Sequence, residues 1–316
     1  MERRISPRTV ARVEAAARTL GYVPNITARR LRSHTVGTSQ AVLAVITSFE
    51  TPLLLVSRAA SALQRLIERD GAGYTQFTIS IEMFHAGHLR DLPGILGNDR
   101  FSGALIANTV EADDRFLAEA RLPFPVVLIG RRVPGCASVV ENPETGREAA
   151  RLLIESGCRR CAVLSPRLGT QASQNRVSEF TAAVAAAGLP PVIEVGCVDR
   201  SESMGYAATR ALLGQRIRID GFFAVNDTLA IGAYHAVREA GLTIPKDICF
   251  VGVGDSDAAP YLAPPLTCVG SSEDVLHAEA ARLLLRCFAG QDVGQAPVQL
   301  LLQISLRGST RVQPKS

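Results

Sequence analysis

Apolar and polar positions along the chain alternate between the spacing of strands and the spacing of helices. Residues 41–46 form an unbroken apolar run, which is typical of a strand buried on both faces of a sheet. The pattern predicts further strands over 74–79, 103–107, 125–129, 138–140, 161–165, 192–195, 221–225 and 248–253, with late strands near 298–306. It predicts helices over 52–69, 144–156, 174–187, 203–213, 227–240 and 273–289.

Such alternation predicts an α/β fold in which helices cover both faces of parallel, doubly wound sheets. The number of strand–helix units is too large for one compact sheet. We therefore expect two similar lobes that divide near residues 140–143.

The first forty residues follow a different pattern, which predicts two short helices and a linker. Ser6 and Pro7 are favourable at a helix start, and apolar residues recur at helical spacing as far as Gly21. Pro24 opens the second helix, and residues 33–40 are polar and predict the linker.

The 316-residue chain has a net charge of +4, and its positive charge is concentrated at the N-terminus. Residues 1–36 contain eight arginines and two glutamates, so they carry +6 and the remainder carries −2. A basic arm on a nearly neutral body predicts that the arm binds a polyanion. A hydrophobic content of 47% excludes a chain that is disordered overall. We found neither a membrane helix nor a signal peptide, so a cytoplasmic protein without membrane contact is expected.

Motifs for enzyme chemistry are sparse. The sequence has no nucleophile elbow, phosphate-binding loop or zinc-protease motif, so we expect no enzyme, no catalytic residue and no cofactor. Cys158 and Cys161 form a CxxC pair without a second ligand pair, and we interpret them as core thiols rather than metal ligands. His85, His88 and Asp91 lie in a polar stretch, where a solvated face is favoured over a metal site.

Residues 222–227 are the clearest candidate for binding chemistry. An apolar strand runs directly into Asn226 and Asp227, and ligands of open α/β sheets bind beyond the carboxyl ends of the strands. Two interpretations remain open. Either the pair caps the following helix and does no more, or Asn226 contacts a ligand while Asp227 caps the helix.

Several segments resemble the LacI/GalR family of bacterial transcriptional regulators. The matching stretches are ISPRT (5–9), LGYVPN (20–25), ARRL (28–31), AVNDTLAIGA (224–233), REAGLTIPKDI (238–248), VGV (251–253), YLAPPLT (261–267) and LRGST (306–310). These stretches are distributed from residue 5 to residue 310 in the same order as in the family, so the resemblance extends over nearly the whole chain. The resemblance implies a dimeric, effector-responsive DNA-binding regulator, expected to be a repressor, that senses a sugar-like metabolite.

The family's architecture implies a helix-turn-helix headpiece, a hinge helix and a two-lobed effector domain like that of periplasmic sugar-binding proteins. In that family, three crossovers connect the lobes. The implied divisions of this chain are 1–24 for the headpiece remnant, 25–40 for the hinge helix and linker, 41–141 plus about 272–300 for lobe 1, and 142–271 plus about 301–316 for lobe 2.

The resemblance also implies that the hinge helix docks in the minor groove of operator DNA. Leu31 matches the leucine that wedges between base pairs, and Asn25 and Ala28 fit the same pattern. Arg29 and Arg32 flank the wedge and are expected to contact phosphates.

For the effector, the resemblance implies a site in the cleft between the lobes. Arg176 and Asn226 match ligand-contacting positions, and Ser48 matches another, with Phe49 beside it. An arginine there can donate two hydrogen bonds to vicinal hydroxyls or to a carboxylate. Arg200 lies near a position that holds a ligand-stacking aromatic residue in some relatives.

Two features depart from the family's pattern. The helix pair that usually precedes Ile5 is missing from this sequence. We expect a natural start further upstream, and the alternative is a cytoplasmic small-molecule sensor without specific DNA binding. In the cleft, Gly254 stands where the family commonly has an aspartate, with Asp255 next to it, while Arg200 adds a cation. This exchange predicts an acidic effector such as a sugar acid.

Overall fold

The computed structural model describes residues 40–70, 76–97, 100–167, 169–215, 217–294 and 296–312. The predicted headpiece and almost all of the hinge segment lie outside these residues. The expected DNA-contacting residues therefore also lie outside them, namely Asn25, Ala28, Arg29, Leu31 and Arg32.

The first sheet is built mainly from the N-terminal half of the chain. Its strands are β1 (Gln40–Ser48), β2 (Gln76–Phe84), β3 (Gly103–Ala107), β4 (Val126–Ile129), β5 (Ala137–Val140) and β11 (Val298–Gln299). They lie in the order β11-β5-β4-β3-β1-β2, and each neighbouring pair is parallel. Leu43, Ile46 and Leu105 are fully buried, because helices cover both faces of such a sheet.

The second sheet has the same number of strands and a similar order. It contains β6 (Cys161–Pro166), β7 (Ile193–Cys197), β8 (Gly221–Ala224), β9 (Cys249–Val253), β10 (Thr267–Val269) and β12 (Ile304–Ser305). The order is β12-β10-β9-β8-β6-β7, and the pairs are parallel except for the antiparallel pair of β10 and β12. The predicted α/β fold with two parallel sheets is confirmed.

Seven α-helices cover these sheets in the described part of the chain. They are α1 (Leu53–Asp70), α2 (Glu111–Glu119), α3 (Thr145–Glu155), α4 (Gln171–Ala186), α5 (Glu202–Gly214), α6 (Asp227–Glu239) and α7 (Glu273–Phe288). Four of them begin at a polar side chain that accepts a backbone N–H of the first turn: Thr170, Ser201, Asn226 and Ser272. None of the described helices is long and apolar enough to cross a bilayer.

The chain passes between the two sheets after β5, after β10 and after β11. As a result, α7 follows a strand of the second sheet but packs on the first one. Its Leu283 and Leu284 are buried in the same cluster as Leu43 and Leu105. The first turn of α7 therefore lies where the two lobes meet.

The structure differs from the pattern-based prediction at several elements. β2 extends to Phe84, beyond the predicted end at residue 79. It is the edge strand of its sheet, so one face can stay polar or exposed, as at Ile81, and the apolar pattern does not show its full length. β10 was not predicted because it has three residues between prolines and a glycine. α2 was not predicted either. It is short and acidic, and its buried Asp113 accepts the backbone N–H groups of Gly87, Leu89 and Val110.

Gly146 determines how closely α4 approaches α3. A Cβ atom at this position would lie 2.1 Å from the carbonyl oxygen of Arg176 and 2.9 Å from the backbone nitrogen of Phe180. The two helices therefore meet backbone to backbone, which holds the helix that carries Arg176 at a fixed distance from the second sheet.

Candidate functional site

A cavity lies between the lobes, at the carboxyl ends of strands from both sheets. The first lobe contributes the ends of β1, β3 and β4, and the second contributes the start of α4 and the loop before α5. The first turn of α7 closes one side. The charged, amide and imidazole side chains that line the cavity are Asn108, Arg131, Arg176, Arg200, Glu273 and His277. This location is the one at which open α/β sheets bind ligands.

Arg176 projects from α4 and is held by charge and hydrogen bonds. Its Nε donates to both carboxylate oxygens of Glu141 at 2.8 and 3.0 Å, and its Nη2 pairs with the same carboxylate. Its Nη1 donates to the carbonyl oxygen of Val225 at 2.5 Å. Burial lowers the pKa of Arg176, but the Glu141 carboxylate more than offsets this effect and the pKa is raised. The guanidinium is thus charged and fixed at the cavity wall.

Arg200 connects the two lobes through a neutral partner. Its Nη2 donates to Oδ1 of Asn108 across the cavity at 2.6 Å. The Asn108 amide nitrogen in turn donates to Oγ1 of Thr51 at 2.9 Å and of Thr47 at 3.3 Å. Burial lowers the pKa of Arg200, Glu273 opposes this, and the charge of Arg176 adds to it. Among the described residues, no carboxylate oxygen lies within 4 Å of this guanidinium.

Two other buried side chains line this region. Nε of Arg131 donates a hydrogen bond to the carboxylate of Asp114, and Nη2 forms an ion pair with the same group. Nη1 of Arg131 is buried without a hydrogen bond. His277 is 4% exposed; its Nε2 lies 4.0 Å from Oε2 of Glu273, and its ring also forms a hydrogen bond with the Glu273 backbone. Burial lowers the pKa of His277 in spite of the nearby Glu273 charge. The ring is therefore neutral near pH 7.

Of Asn226 and Asp227, only Asn226 has the helix-capping role that the sequence suggested for the pair. Oδ1 of Asn226 accepts the backbone N–H of Leu229 at 2.9 Å, so Asn226 caps α6 and the expected capping role of Asp227 is wrong. Asp227 is buried and accepts the backbone N–H of Ser256 at 2.6 Å. Burial raises its pKa to about 6. Asn226 lines a smaller pocket that it shares with Arg200 and Glu273, so its predicted contact with a ligand remains a prediction.

The remaining predicted effector residues lie at different distances from the cavity. Ser48 is buried, with its hydroxyl 3.4 Å from that of Thr51, and is outside the lining. Phe49 is exposed and lies in a wider groove at the mouth of the cleft, which Arg200 also lines. Asp255 lies within the second lobe. Its carboxylate accepts a hydrogen bond from Oγ of Ser305 at 2.6 Å and forms an ion pair with Arg307 at 2.6 Å.

The other candidate clusters do not contribute to this site. Cys158 and Cys161 are buried free thiols, as interpreted from the sequence. His88 pairs with Asp91 at 3.0 Å, and both side chains are exposed. The described residues contain no group of three or more His, Cys, Asp or Glu side chains that could hold a metal ion.

Sequence reasoning missed four of the polar residues that line the cavity. Asn108 follows an apolar strand just as Asn226 does, so the same rule could have found it. Arg131 follows β4 in the same way, after one glycine. Glu273 and His277 share one face of α7 at a spacing of four residues, but the pattern alone does not show that this helix returns to the first lobe.

Comparisons with known proteins agree with this architecture. The family model of the periplasmic binding protein-like domain matches residues 143–310. The transcriptional regulator CelR of Thermobifida fusca is 29% identical over 315 residues, which cover 96% of this chain and 89% of CelR. The ribose operon repressor of Escherichia coli K12 is 28% identical over 319 residues, which cover 98% of this chain and 92% of the repressor.

A solved structure extends the similarity to a liganded relative. The structure of a CelR–cellobiose complex superposes with a TM-score of 0.72 at 25% identity and covers 97% of this chain and 92% of that one. The relatives that match along nearly their full length are thus transcriptional regulators, and one of them has been solved with a bound disaccharide.

Proposed function

The chain belongs to the LacI family of transcriptional regulators, and we propose that a sugar or sugar acid binds in the cleft between its lobes as the effector. The observation that carries this proposal is the convergence of Arg176, Arg200 and Asn108 on one cavity from both lobes. Fixed guanidinium and amide groups are suited to a ligand rich in hydroxyl groups. The cellobiose complex of the related regulator supports a saccharide.

An acidic effector is favoured by the charge distribution in the cavity. Arg176 and Arg131 each have a carboxylate partner within the protein, whereas Arg200 has a neutral amide. A partly buried guanidinium without a carboxylate gains most from an anionic ligand, because burial strengthens the attraction. Asn226 and the exposed Phe49 would contact larger effectors from the pocket and the groove next to the cavity.

The second partner in this proposal is operator DNA, bound by a homodimer in the cytoplasm. Leu31, supported by Asn25 and Ala28, would insert into the minor groove, and Arg29 and Arg32 would contact phosphates. An apolar wedge unstacks a base step at a cost of a few kcal/mol, and phosphate contacts offset this cost in a salt-dependent way. The basic charge of residues 1–36 supports this assignment.

Effector and DNA would be coupled through movement of the lobes. We divide the chain into lobe 1 (41–141 plus about 272–300) and lobe 2 (142–271 plus about 301–316), with the cavity between them. A ligand that contacts both lobes favours their closed arrangement and changes the order of the hinge. Couplings of this kind are typically worth about 1–3 kcal/mol.

The effector class can be tested by thermal unfolding of the purified protein with millimolar D-ribose, D-cellobiose, D-glucose or D-gluconate. Ligand binding to the folded state raises the Tm, by an amount corresponding to about 2.7 kcal/mol at a hundredfold excess over the Kd. We expect at least one saccharide to raise the Tm, and D-gluconate to do so more than D-glucose. A stronger response to glucose would contradict the acidic effector, and no response to any compound would contradict a saccharide site.

A further inference from the structure

Two of the three arginines that line the cavity have a carboxylate partner, and the third does not. The partnered ones are Arg131 and Arg176, which form ion pairs with carboxylates behind the cavity wall. The third is Arg200, whose Nη2 donates to the neutral amide of Asn108. Glu273 is the one carboxylate among the described lining residues, and it forms no ion pair with an arginine. The cavity therefore presents one cation and one anion that no direct ion pair neutralises.

Glu273 lies in the first turn of α7, where this helix meets the second lobe. Its backbone N–H donates to the carbonyl oxygen of Gly254 at 3.3 Å. Its Cγ lies 3.7 Å from the point that a Cβ atom of residue 254 would occupy. The sequence predicted that a cleft carboxylate is lost at Gly254, and the fold brings one to the same place from α7. The side chain of Glu273 is 23% exposed, and the nearest basic group among the described residues is the neutral ring of His277 at 4.0 Å.

Glu273 and Arg200 face the same space without touching. Both side chains line the main cavity and the smaller pocket next to it. Within the described part of the chain, no nitrogen of Arg200 lies within 4 Å of a carboxylate oxygen, so the two charges are more than 4 Å apart. Burial lowers the pKa of Arg200 and the charge of Glu273 acts against this lowering, so the carboxylate is near enough to influence the guanidinium. Two opposite charges that are held apart in a partly buried cavity each gain from a ligand group of the opposite charge.

From this arrangement we infer that the effector is an amino sugar acid, whose carboxylate binds Arg200 and whose ammonium group binds Glu273. A plain sugar acid satisfies Arg200 but brings its negative charge toward Glu273. A hydroxyl group also donates to a carboxylate, but a neutral donor offsets less of the cost of burying the charge than an ammonium group does. Glu273 is thus a specificity-determining residue. This inference rests on the proposed effector site and narrows the class of ligand that the site takes.

The test compares D-gluconate with D-glucosaminate, in which one hydroxyl group of D-gluconate is replaced by an ammonium group. We expect the wild-type protein to bind D-glucosaminate roughly 10- to 100-fold more tightly in calorimetric titrations at neutral pH, because hydrogen bonds between charged groups are the stronger ones. Glu273→Gln keeps the shape of the side chain and removes its charge, so this preference should disappear. The affinity of Glu273→Gln for D-gluconate should stay the same or rise, since a repulsion is removed.

Glu279→Gln is the matched control, because Glu279 lies on the same helix and pairs with Arg282 near the surface. It should keep the wild-type preference. Thermal unfolding checks that both variants are folded, and the comparison of the two ligands in the wild-type protein does not depend on any variant.

The results separate failure of this inference from failure of the proposed function. Equal or weaker binding of D-glucosaminate by the wild-type protein, or an unchanged preference in Glu273→Gln, would overturn the amino sugar acid. The proposed function still stands in that case if D-gluconate binds more tightly than D-glucose. If D-ribose, D-cellobiose, D-glucose, D-gluconate and D-glucosaminate all fail to bind the wild-type protein, the saccharide effector and the inference are both overturned. A preference that is lost in Glu273→Gln and kept in Glu279→Gln supports the inference.

Discussion

Arg200 is one of the side chains through which the second lobe contacts the first inside the cavity. Its hydrogen bond to Asn108 continues into the hydroxyls of Thr47 and Thr51, so a single polar chain runs from one lobe to the other. Each of these bonds is to a neutral group. The positive charge of Arg200 therefore remains available to a ligand. Its cost within the free protein comes from burial and from the charge of Arg176, which the charge of Glu273 only partly offsets.

Replacing Arg200 tests this role directly. We expect Arg200→Met to reduce effector affinity at least about tenfold, because charged hydrogen bonds contribute about 1.5–3 kcal/mol. The Tm of the free protein should stay unchanged or rise, since no carboxylate loses its partner. Isothermal titration and thermal unfolding measure the two effects, with exposed Arg210→Met as the matched control. A strong loss of stability without a loss of affinity would show that Arg200 serves the fold rather than the ligand.

At the scale of elements, long periodic segments were predictable and short or polar ones were not. Strands β1, β3 and β8 give clear apolar runs because both faces of each sheet are buried. Helices α6 and α7 give a clear helical spacing of apolar residues because one side of each helix packs on a sheet. β10 has too few residues for a period, and α2 is stabilised by tertiary hydrogen bonds to Asp113, which a local pattern does not contain.

The candidate site was predictable at the positions that the family resemblance covers, and not where it depends on the path of the chain. Arg176 and Arg200 were identified and line the cavity, but Asp255 has its carboxylate engaged by Arg307 and Ser305. Glu273 and His277 enter the cavity because α7 crosses back to the first sheet. That crossing is a property of topology, which the pattern of a single helix cannot reveal.

The contact between α3 and α4 supports a prediction about an element rather than a ligand contact. In Gly146→Ala the added Cβ would overlap the backbone of Arg176, so α4 must move. Overpacking of this kind costs about 1–3 kcal/mol, and the displaced Arg176 should also weaken effector binding. Urea unfolding and titration of the effector provide both measurements.

Gly214→Ala is the control for this prediction, because the space around Gly214 is empty and it lies at the end of α5. It should be neutral or slightly stabilising, by up to about 1 kcal/mol. Equal stability of the two variants would show that the close helix contact does not determine the position of Arg176.

At the scale of the whole molecule, the three passages between the sheets place the cavity where the two halves of the structure meet. Arg58 on α1 pairs with Asp257 of the second lobe at 3.1 Å, and the backbone N–H of Arg132 donates to Oε1 of Gln171 at 3.1 Å. These contacts, like that of Arg200 with Asn108, cross the cleft. Asp257 is 91% exposed, so its pair contributes little stability and can break when the lobes separate. A ligand inside the cleft is therefore expected to decide between the open and closed arrangements.

The central claim is that a ligand held by both lobes changes the affinity of this regulator for DNA. The most direct measurement is fluorescence anisotropy of the full-length protein on a DNA sequence selected from a random pool, at fixed salt, with and without the saccharide that binds most tightly. We predict a change in Kd of roughly 5- to 150-fold for the wild-type protein. Arg200→Met should lose most of this change at the same ligand concentration. Selection of no specific sequence, or the same DNA affinity at saturating saccharide, would contradict the account.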